Sequence, residues 1–472
     1  MKILLTGATG YIAQRLLPEL LADGHFVYCC VRDKARFDLH RFNNPNVAVV
    51  EVDLLKEETL QHIPADIEVA YYLVHSMSGS TDFSNQEAQS AQHFKARMNT
   101  IQVRQVIYLT GIVNEKSLSK HLASRLEVEK ILASGDYAHT ILRAGIIVGS
   151  GSASFEIIRD LVEKLPVMIT PRWLNTKTQP IAIRDVVAYL KGVIGLEEAY
   201  NKGFDISSGE TMTYKEMLLQ FAEARKLKRK IFVLPVLTPK LSSYWLYFVT
   251  STSYTLAKNL VDSMKVEVIG KPNTLAQTIG ITPTPYKKAI ELAFMKIEND
   301  QVLSSWKDAQ SSELLYKGLT THLTVPKEGT LSDKRKQKVA DINRTLEKLW
   351  RIGGNTGWYY GEWLWEFRGF LDKLFGGVGL RRGRRSPTQI YPGDSLDFWR
   401  VMIASKADKR LLLYAEMKLP GEAWLEFCIN KDGELVQTAT FRPLGLKGRL
   451  YWYSVLPFHG FIFKGMLNAL CK

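Results

Sequence analysis

The feature that most constrains this chain is a glycine-containing turn near its start, between an apolar segment and an amphipathic one. The apolar segment, Ile3 to Leu5, has the character of a β-strand, and leucines at helical spacing follow the turn. Gly7 and Gly10 allow the backbone to approach other groups closely. The start of the following helix offers N–H groups and the positive end of its dipole to a phosphate. The spacing Gly-x-x-Gly-x-x-Ala therefore predicts a nucleotide-binding turn, with a dinucleotide pyrophosphate as its natural occupant.

The residues of this turn are the first candidate cofactor ligands. We predict that the pyrophosphate is held by Gly7, Thr9, Gly10, Tyr11 and Ile12. The alternative is a glycine turn that closes an ordinary strand–helix unit without a ligand. We favour the cofactor because the turn lies between a strand and a helix and begins a strand–helix alternation.

The end of the second predicted strand, residues 25–31, indicates which dinucleotide is bound. A chain that prefers NAD places Asp or Glu there to hold the ribose 2′-hydroxyl, whereas here Arg32 and Asp33 follow the strand. The Arg32 guanidinium can pair with a 2′-phosphate. We therefore expect NADP, with NAD as the alternative because Asp33 is adjacent. A solvated loop arginine is the other interpretation of Arg32.

The ends of the third and fourth strands provide further candidates. Asp53 and Leu54 follow a strand over residues 47–52, where Asp53 is placed to accept a hydrogen bond from the adenine amino group or to cap the next helix. The fourth strand, residues 67–74, is expected to pass beside the ribose and nicotinamide. This path brings Leu73 and His75 to the cofactor. A structural histidine is the alternative for His75.

Two more strands, over residues 105–110 and 140–147, enclose a helix over residues 119–132. The N-terminal 300 or so residues resemble the short-chain dehydrogenase/reductase superfamily in its extended or atypical branch. The motifs are Thr-Gly-Ala-Thr-Gly-Tyr-Ile at 6–12, Val-Asp-Leu at 52–54, Tyr-Leu-Thr-Gly at 108–111 and Ile-Leu-Arg-Ala-Gly at 141–145. The resemblance implies a doubly wound parallel Rossmann sheet and an NAD(P)-dependent oxidoreductase.

One departure from that superfamily concerns the catalytic pair. Active members carry Tyr-x-x-x-Lys on the helix after strand five, where the tyrosine donates a proton and the lysine lowers its pKa and holds the ribose. The matching positions are His121 and Arg125, which the spacing puts on one helix face. Arg125 keeps the positive charge but cannot shuttle a proton, whereas His121 can act as an acid near neutral pH. With Thr110 in place of the assisting serine, the predicted catalytic residues are Thr110, His121 and Arg125. The alternative is a surface His121 with an Arg125 that binds the cofactor or a carboxylate.

A second domain is predicted over residues 301–472, after an NAD(P)-binding domain over residues 1–300, because the strand–helix alternation stops there. The predicted elements follow the order of a helix-grip, START-like α+β domain. They are a short strand over 322–325 between polar segments, a helix over 338–350, antiparallel strands between 396 and 442 and a terminal helix over 456–470. This half also resembles a domain of unknown function often fused behind atypical reductases, on Gly-Trp-Tyr-Tyr at 357–360 and Asp-Phe-Trp-Arg-Val at 397–401. Helix-grip folds usually enclose an apolar ligand cavity. Inward-facing Glu416 and Glu426 would contact the ligand or pair with Arg400; solvated strand positions are the alternative.

The charge composition indicates which kinds of partner this chain is expected to bind. The net charge of +14 favours anionic partners such as a nucleotide, an acidic lipid surface or nucleic acid. The densest basic run is Arg381-Arg382-Gly383-Arg384-Arg385, but nothing resembling a nucleic-acid module surrounds it. We expect no specific nucleic acid, and peripheral contact with an anionic membrane is the candidate partner surface. The four cysteines lack metal-ligand spacing, so we predict buried free thiols and no metal site.

Three functions are weighed. The leading hypothesis is an NADP-dependent reductase of a small apolar or amphipathic carbonyl compound or enone. We expect the protein to be cytoplasmic because no leader precedes the first strand and no segment looks able to span a bilayer. The absence of Tyr-x-x-x-Lys favours a rival, a non-catalytic NAD(P)-binding sensor, assembly factor or membrane-associated scaffold. The third is a lipid or isoprenoid carrier that relies on the START-like cavity.

Overall fold

The computed structural model describes residues 1–34, 37, 42, 44–74, 83–113, 120–234, 261–262, 264–298, 325–326, 329–380, 386 and 388–472. The chain divides into two compact units, one spanning residues 1–310 except 251–253 and the other comprising the rest. Three parts of the sequence analysis fall outside the described residues. They are His75, the short strand expected over 322–325 (of which only Val325 is described) and the basic run at 381–385.

The N-terminal unit is built around a parallel sheet. Its strands, in chain order, are β1 (Lys2–Leu5), β2 (Phe26–Val31), β3 (Val47–Glu51), β4 (Val69–Tyr72), β5 (Gln105–Gly111), β6 (Ala138–Ala144), β7 (Ile147–Val148), β8 (Val167–Pro171), β9 (Lys177–Thr178), β10 (Ile181–Ala182), β11 (Lys202–Ile206), β12 (Met212–Thr213) and β13 (Lys230–Leu234). The helices are α1 (Ala13–Ala22), α2 (Phe83–Thr100), α3 (Lys120–Ala133), α4 (Ala153–Lys164), α5 (Ile183–Gly192), α6 (Tyr214–Ala224), α7 (Leu275–Thr278) and α8 (Tyr286–Glu298).

Seven strands pair in the order β11-β6-β5-β4-β1-β2-β3, and every pairing is parallel. The strand order reverses between β1 and β4, which is the topological switch point where open α/β sheets bind ligands. Apolar side chains alternate between the two faces: Ile3 and Leu5 pack with α1 and α5, whereas Leu4 packs with α2 and α3. The predicted doubly wound fold is confirmed.

A smaller lobe completes this unit. Helices α4, α6 and α8 enclose a second apolar core around Phe155, Phe221 and Phe294, whose ring centroids lie 5.3–5.5 Å apart. A capping box begins α6, where Thr213 accepts from the Glu216 backbone N–H and the Glu216 carboxylate accepts from the Thr213 N–H. The aromatic-rich sequence at 241–264 falls almost wholly outside the described residues.

The C-terminal unit is an antiparallel sheet with a long helix. Its strands are β14 (Leu331–Lys338), β15 (Ser395–Leu396), β16 (Trp399–Ser405), β17 (Arg410–Ala415), β18 (Gly421–Ile429) and β19 (Glu434–Pro443). They pair in the order β14-β19-β18-β17-β16-β15. The helices are α9 (Ile342–Arg351), α10 (Glu362–Leu374) and α11 (Gly445–Cys471). Helix α11 packs against β19 and β14, an arrangement compatible with a helix-grip domain.

Two features of this unit differ from the sequence analysis. No strand was predicted in the polar segment at 331–338, but this segment is β14, which lies at the edge of the sheet, where outward positions can be charged. The terminal helix begins at Gly445 rather than near 456, although it contains Pro457 and several glycines. Its buried side, from Trp452 to Leu470, packs on the sheet and stabilises the helix beyond its local propensity.

Candidate functional site

The glycine turn lies against the end of β4. Gly7 has a φ of +65°, and a Cβ added there would stand 2.7 Å from the backbone oxygen of Leu73. Gly10 donates to the Gly7 oxygen over 2.7 Å, and a Cβ on Gly10 would come within 2.9 Å of that oxygen. Both positions therefore require glycine. No side chain caps the start of α1, where the Gln14 N–H donates to the Gly10 oxygen and the Arg15 N–H to the Ile12 oxygen, each over 3.0 Å. The positive end of the helix dipole lies at this turn and favours a phosphate there.

Residues at the start of α1 also hold the turn to the smaller lobe of the unit. The Tyr11 hydroxyl donates to the Ser150 oxygen over 3.2 Å, and the buried Arg15 guanidinium donates to the same oxygen over 2.7 Å. Arg15 also lies 3.8 Å over the Tyr11 ring, and burial raises the pKa of Tyr11 to about 12. Tyr11 thus has a structural role besides any contact with a ligand. Sequence reasoning missed Arg15.

The strand-end candidates gather at the carboxyl edge of the sheet. Arg32 directly follows β2 and is exposed, whereas Leu54 is buried after β3. The Asp53 carboxylate accepts from the Leu55 N–H over 3.2 Å. Asp53 is not the helix cap that was the alternative, because the following 3-10 helix begins at Glu57 and its N-cap is Lys56. Leu73 is half-buried and its backbone lies against Gly7.

The predicted catalytic positions follow β5 and lie on α3. Arg125 reaches back to the end of β5, where its Nη1 stands 2.8 Å from the position of a Cβ on Gly111. Burial lowers the pKa of Arg125, and the charges of Tyr108 and Glu87 oppose that change. Thr110 is buried, and no hydrogen bond of good geometry reaches its hydroxyl within the described part of the chain, although an interaction with Thr110 lowers the pKa of Tyr108 against the larger effect of burial. The structure therefore brings Thr110 and Arg125 to the same strand end, while the His121 side chain lies outside the described residues.

A buried polar cluster surrounds Arg125 and was not predicted. The Ser124 hydroxyl on α3 donates to the Glu87 carboxylate on α2, and both residues are buried. Tyr108 is also buried, which raises its pKa to about 12. The sequence does carry a signal: Glu87 occupies the helical stripe of Ala91, Phe94 and Met98, where an acidic residue interrupts a core-facing face. A carboxylate at such a position needs a buried partner.

Helix α3 is fixed by Arg143 on β6. Its guanidinium donates to the Glu129 carboxylate, with Nε at 3.0 Å, and lies 3.4 Å from an Asp205 carboxylate oxygen on β11. Arg143 is also the residue opposite Thr110 in the sheet register. The arginine of the Ile-Leu-Arg-Ala-Gly motif therefore holds the helix that carries Arg125.

In the C-terminal unit the two candidate carboxylates have different partners. Glu416 pairs with Arg400 through bonds of 2.9 and 2.7 Å, and both side chains are buried. Glu426 pairs instead with Arg410 at 2.7 Å, and that pair is part-exposed. The predicted pair with Arg400 thus exists for Glu416 and not for Glu426.

Between α11 and the sheet lie two further buried polar groups. Gln437 on β19 is 1% exposed, and neither its amide oxygen nor its nitrogen has a hydrogen-bond partner among the described residues. It lies opposite Arg335 in the sheet, and Arg335 donates to the Gly460 oxygen of α11 over 3.4 Å. The neighbouring His459 has an unpartnered Nδ1, and burial lowers the pKa of His459 to about 4.

Comparison with known proteins assigns each unit separately. Residues 7–164 match a family described as NAD(P)H-binding, and residues 327–466 match a family described as a protein of unknown function, DUF2867. No curated protein gives a significant match. The matched part of the N-terminal unit contains every predicted cofactor and catalytic position.

Solved structures share the fold of the N-terminal unit. A Citrobacter sp. triphenylmethane reductase complexed with NADP(H) is 17% identical and covers 62% of this chain and 100% of its own, with a TM-score of 0.52. An Escherichia coli NADPH-dependent quinone oxidoreductase complexed with NADPH is 18% identical, covers 62% and 99%, and has a TM-score of 0.52. A Staphylococcus aureus nucleoside-diphosphate-sugar epimerase is 14% identical, covers 62% and 100%, and has a TM-score of 0.51. The N-terminal unit therefore has the Rossmann fold, and residues 7–164 of it match an NAD(P)H-binding family.

Proposed function

We propose that this protein is an NADP-dependent reductase of an apolar or amphipathic carbonyl compound or enone, working in the cytoplasm. The observation that carries the proposal is that the buried Thr110 hydroxyl and the Arg125 guanidinium both lie at the end of β5. A buried hydroxyl that lacks a well-formed hydrogen bond is costly unless a ligand completes it. In this fold the carboxyl end of β5 faces the ligand crevice.

The cofactor fits the residues at the switch point. The Gly7–Gly10 turn leaves a cradle that a Cβ would fill, and the positive end of the α1 dipole would favour the charge of the pyrophosphate. Arg32 is exposed at the carboxyl edge beside β2, where a guanidinium would bind the 2′-phosphate of NADP. This supports NADP over NAD.

The chemistry divides among three side chains. The bound nicotinamide would supply the hydride. The Thr110 hydroxyl would donate a hydrogen bond to the substrate oxygen, and the Arg125 guanidinium would stabilise negative charge developing on that oxygen. His121, one turn before Arg125 on α3, would supply the proton. The buried Glu87 and Ser124 would hold Arg125 in position.

The test is consumption of NADPH by the purified chain with a panel of quinones, enones and aromatic aldehydes. Thr110→Val and Arg125→Met should each lower kcat by about 10²–10³-fold with the Kd for NADPH within threefold of wild type. Arg104→Ala, an exposed arginine at the opposite end of β5, is the matched control and should leave kcat unchanged. Unchanged kcat in both site variants would contradict the assignment.

A second candidate is a non-catalytic NAD(P)-binding sensor, assembly factor or membrane-associated scaffold. It is favoured by the departure from Tyr-x-x-x-Lys at His121 and Arg125. Such a protein would bind NADPH tightly without oxidising it in the presence of any substrate of the panel. The same titration and turnover assays therefore separate the two functions.

A third candidate gives the C-terminal unit a START-like ligand site for a small apolar or amphipathic molecule. The unpartnered amide of Gln437 and the Nδ1 of His459, among apolar side chains under α11, favour it. A carrier should bring one equivalent of an apolar compound through purification. Organic extraction followed by mass spectrometry tests this, and Gln437→Leu should reduce the amount of extracted compound.

A further inference from the structure

The C-terminal unit exposes an apolar surface formed by two helices. On α10 the exposed side chains are Trp363, Phe367, Phe370 and Leu374, at 67%, 55%, 56% and 56% exposure, followed by Phe375 at 69%. Their i, i+4, i+7, i+11 spacing puts the four helical residues on one face. The opposite face of α10 contains the buried Trp365, Gly369 and Asp372. An amphipathic helix thus presents its large apolar side chains outward.

Helix α11 repeats this pattern. Four of its exposed side chains share one helix face, at positions i, i+4, i+7 and i+15. They are Leu446, Leu450, Tyr453 and Phe461, which are 73%, 62%, 61% and 57% exposed, and Phe458 lies beside them at 55%. The buried side of α11, which includes Trp452 and Met466, faces the sheet. The exposed side is therefore opposite the core.

Side-chain contacts link the two helices. Tyr360, just before α10, contacts Phe461 with ring centroids 5.1 Å apart, and Arg368 in the middle of α10 donates to the Tyr451 hydroxyl over 3.2 Å. The two contacts occur in reverse order along the two helices, so the helices run antiparallel. We call the exposed apolar residues of both helices together the two-helix apolar surface. Exposed apolar patches of this kind mark protein or membrane interaction sites.

The charges around the two-helix apolar surface indicate which of these partners it fits. Helix α11 contains no Asp or Glu, and the exposed Lys447, Arg449 and Lys464 flank or end its stripe. Glu366 is the one exposed acidic side chain of α10, at the edge of that stripe. Four arginines follow in sequence at 381–385, outside the described residues. Aromatic and leucine side chains bordered by lysine and arginine are typical of a surface that lies in the interface of an anionic bilayer.

We infer that the two-helix apolar surface docks this protein peripherally on anionic phospholipid bilayers. No helix among the described residues is long and apolar enough to cross a membrane. Docking would place Trp363, Phe367, Phe370 and Tyr453 at the boundary between headgroups and acyl chains, with the basic residues against lipid phosphates. The inference does not depend on the proposed reductase activity.

The test is flotation of the full-length chain with vesicles of pure phosphatidylcholine or of 3:1 phosphatidylcholine to phosphatidylglycerol. We expect binding to the anionic vesicles, weaker binding at 0.5 M NaCl and weaker binding to the neutral vesicles. Phe370→Asp and Tyr453→Asp should each raise the lipid concentration for half-binding by about tenfold or more. Met295→Asp, a change at a 51% exposed apolar residue of α8, is the matched control and should bind like wild type.

Two results would overturn the inference. One is the failure of wild-type chain to float with anionic vesicles, or binding that Phe370→Asp, Tyr453→Asp and Met295→Asp reduce equally. The other is a stable dimer in light scattering that Phe370→Asp converts to monomer, because the surface would then be an interface between copies of the chain. Unchanged thermal unfolding and NADPH binding in the variants exclude loss of folding as the cause.

Discussion

Replacing Gly7 by alanine tests whether the turn is shaped by the close approach of β4. The new Cβ would meet the Leu73 backbone oxygen at 2.7 Å, at a residue whose φ is +65°. The left-handed conformation costs an alanine about 1–2 kcal/mol, and forced overpacking against a backbone group adds about 1–3 kcal/mol. Gly24 is the matched control: its φ is +79°, but nothing lies within 4 Å of its Cβ position. Gly24→Ala therefore carries the conformational cost alone.

Urea denaturation followed by circular dichroism measures both variants. The chain has two compact units, so the relevant transition is the one that NADPH shifts to higher urea. We expect Gly7→Ala to lower the free energy of unfolding by about 1–3 kcal/mol more than Gly24→Ala does, because only Gly7→Ala overpacks against a backbone group. Both alanines make the unfolded chain less flexible, so that effect on stability cancels in the comparison. Gly7→Ala should also weaken NADPH binding, whereas Gly24→Ala should not. Equal losses of stability, with NADPH affinity kept in both, would refute the reasoning.

Three further predictions concern buried polar groups. Arg400→Met removes the guanidinium that pairs with the buried Glu416 carboxylate and should lower the free energy of unfolding by about 3–5 kcal/mol in urea denaturation. The double variant with Glu416→Leu should recover most of this loss, and no recovery would contradict a buried pair. Glu87→Gln keeps a hydrogen-bond acceptor for Ser124 but removes the negative charge near Arg125. The value of kcat should therefore fall more in Glu87→Gln than in Ser124→Ala. A larger fall in Ser124→Ala would contradict a positioning role for Glu87. His459, with a pKa of about 4 when folded and about 6.5 when unfolded, binds more protons in the unfolded state between these values. Its contribution to stability is therefore present above pH 6.5 and is lost as the pH falls toward 4, by about 3 kcal/mol. His459→Asn should flatten that part of the stability profile relative to wild type, and identical profiles would contradict the burial of the neutral imidazole.

The N-terminal fold was predictable because each strand and helix follows a local pattern. The turn at Gly7, the apolar strands and the leucine stripe of α1 act within a few residues of each other, and the parallel order follows from strand–helix alternation. The C-terminal unit was less accessible. Its edge strand at 331–338 is polar, and its terminal helix runs through Pro457, so tertiary packing overrides the local signals in both.

The site could be predicted in position but not in its supporting contacts. Thr110 and Arg125 come from a motif and its spacing, and the structure brings them to one strand end. The partners of Arg125 come from α2 and from β5 itself, and no spacing along the chain predicts that Glu87 and Ser124 meet across 37 residues. Likewise, Glu416 and Glu426 look equivalent in sequence, and only the strand register gives Arg400 to one of them.

The most direct test of the account is calorimetric titration of the purified chain with NADPH and with NADH. We expect NADPH to bind at least tenfold more tightly than NADH, and Arg32→Ala to weaken NADPH alone, because only NADPH carries the 2′-phosphate. Arg104→Ala, at the opposite edge of the sheet, should bind both cofactors like wild type. Equal affinity for the two cofactors, or an Arg32→Ala variant that binds NADPH as wild type does, would contradict the NADP assignment.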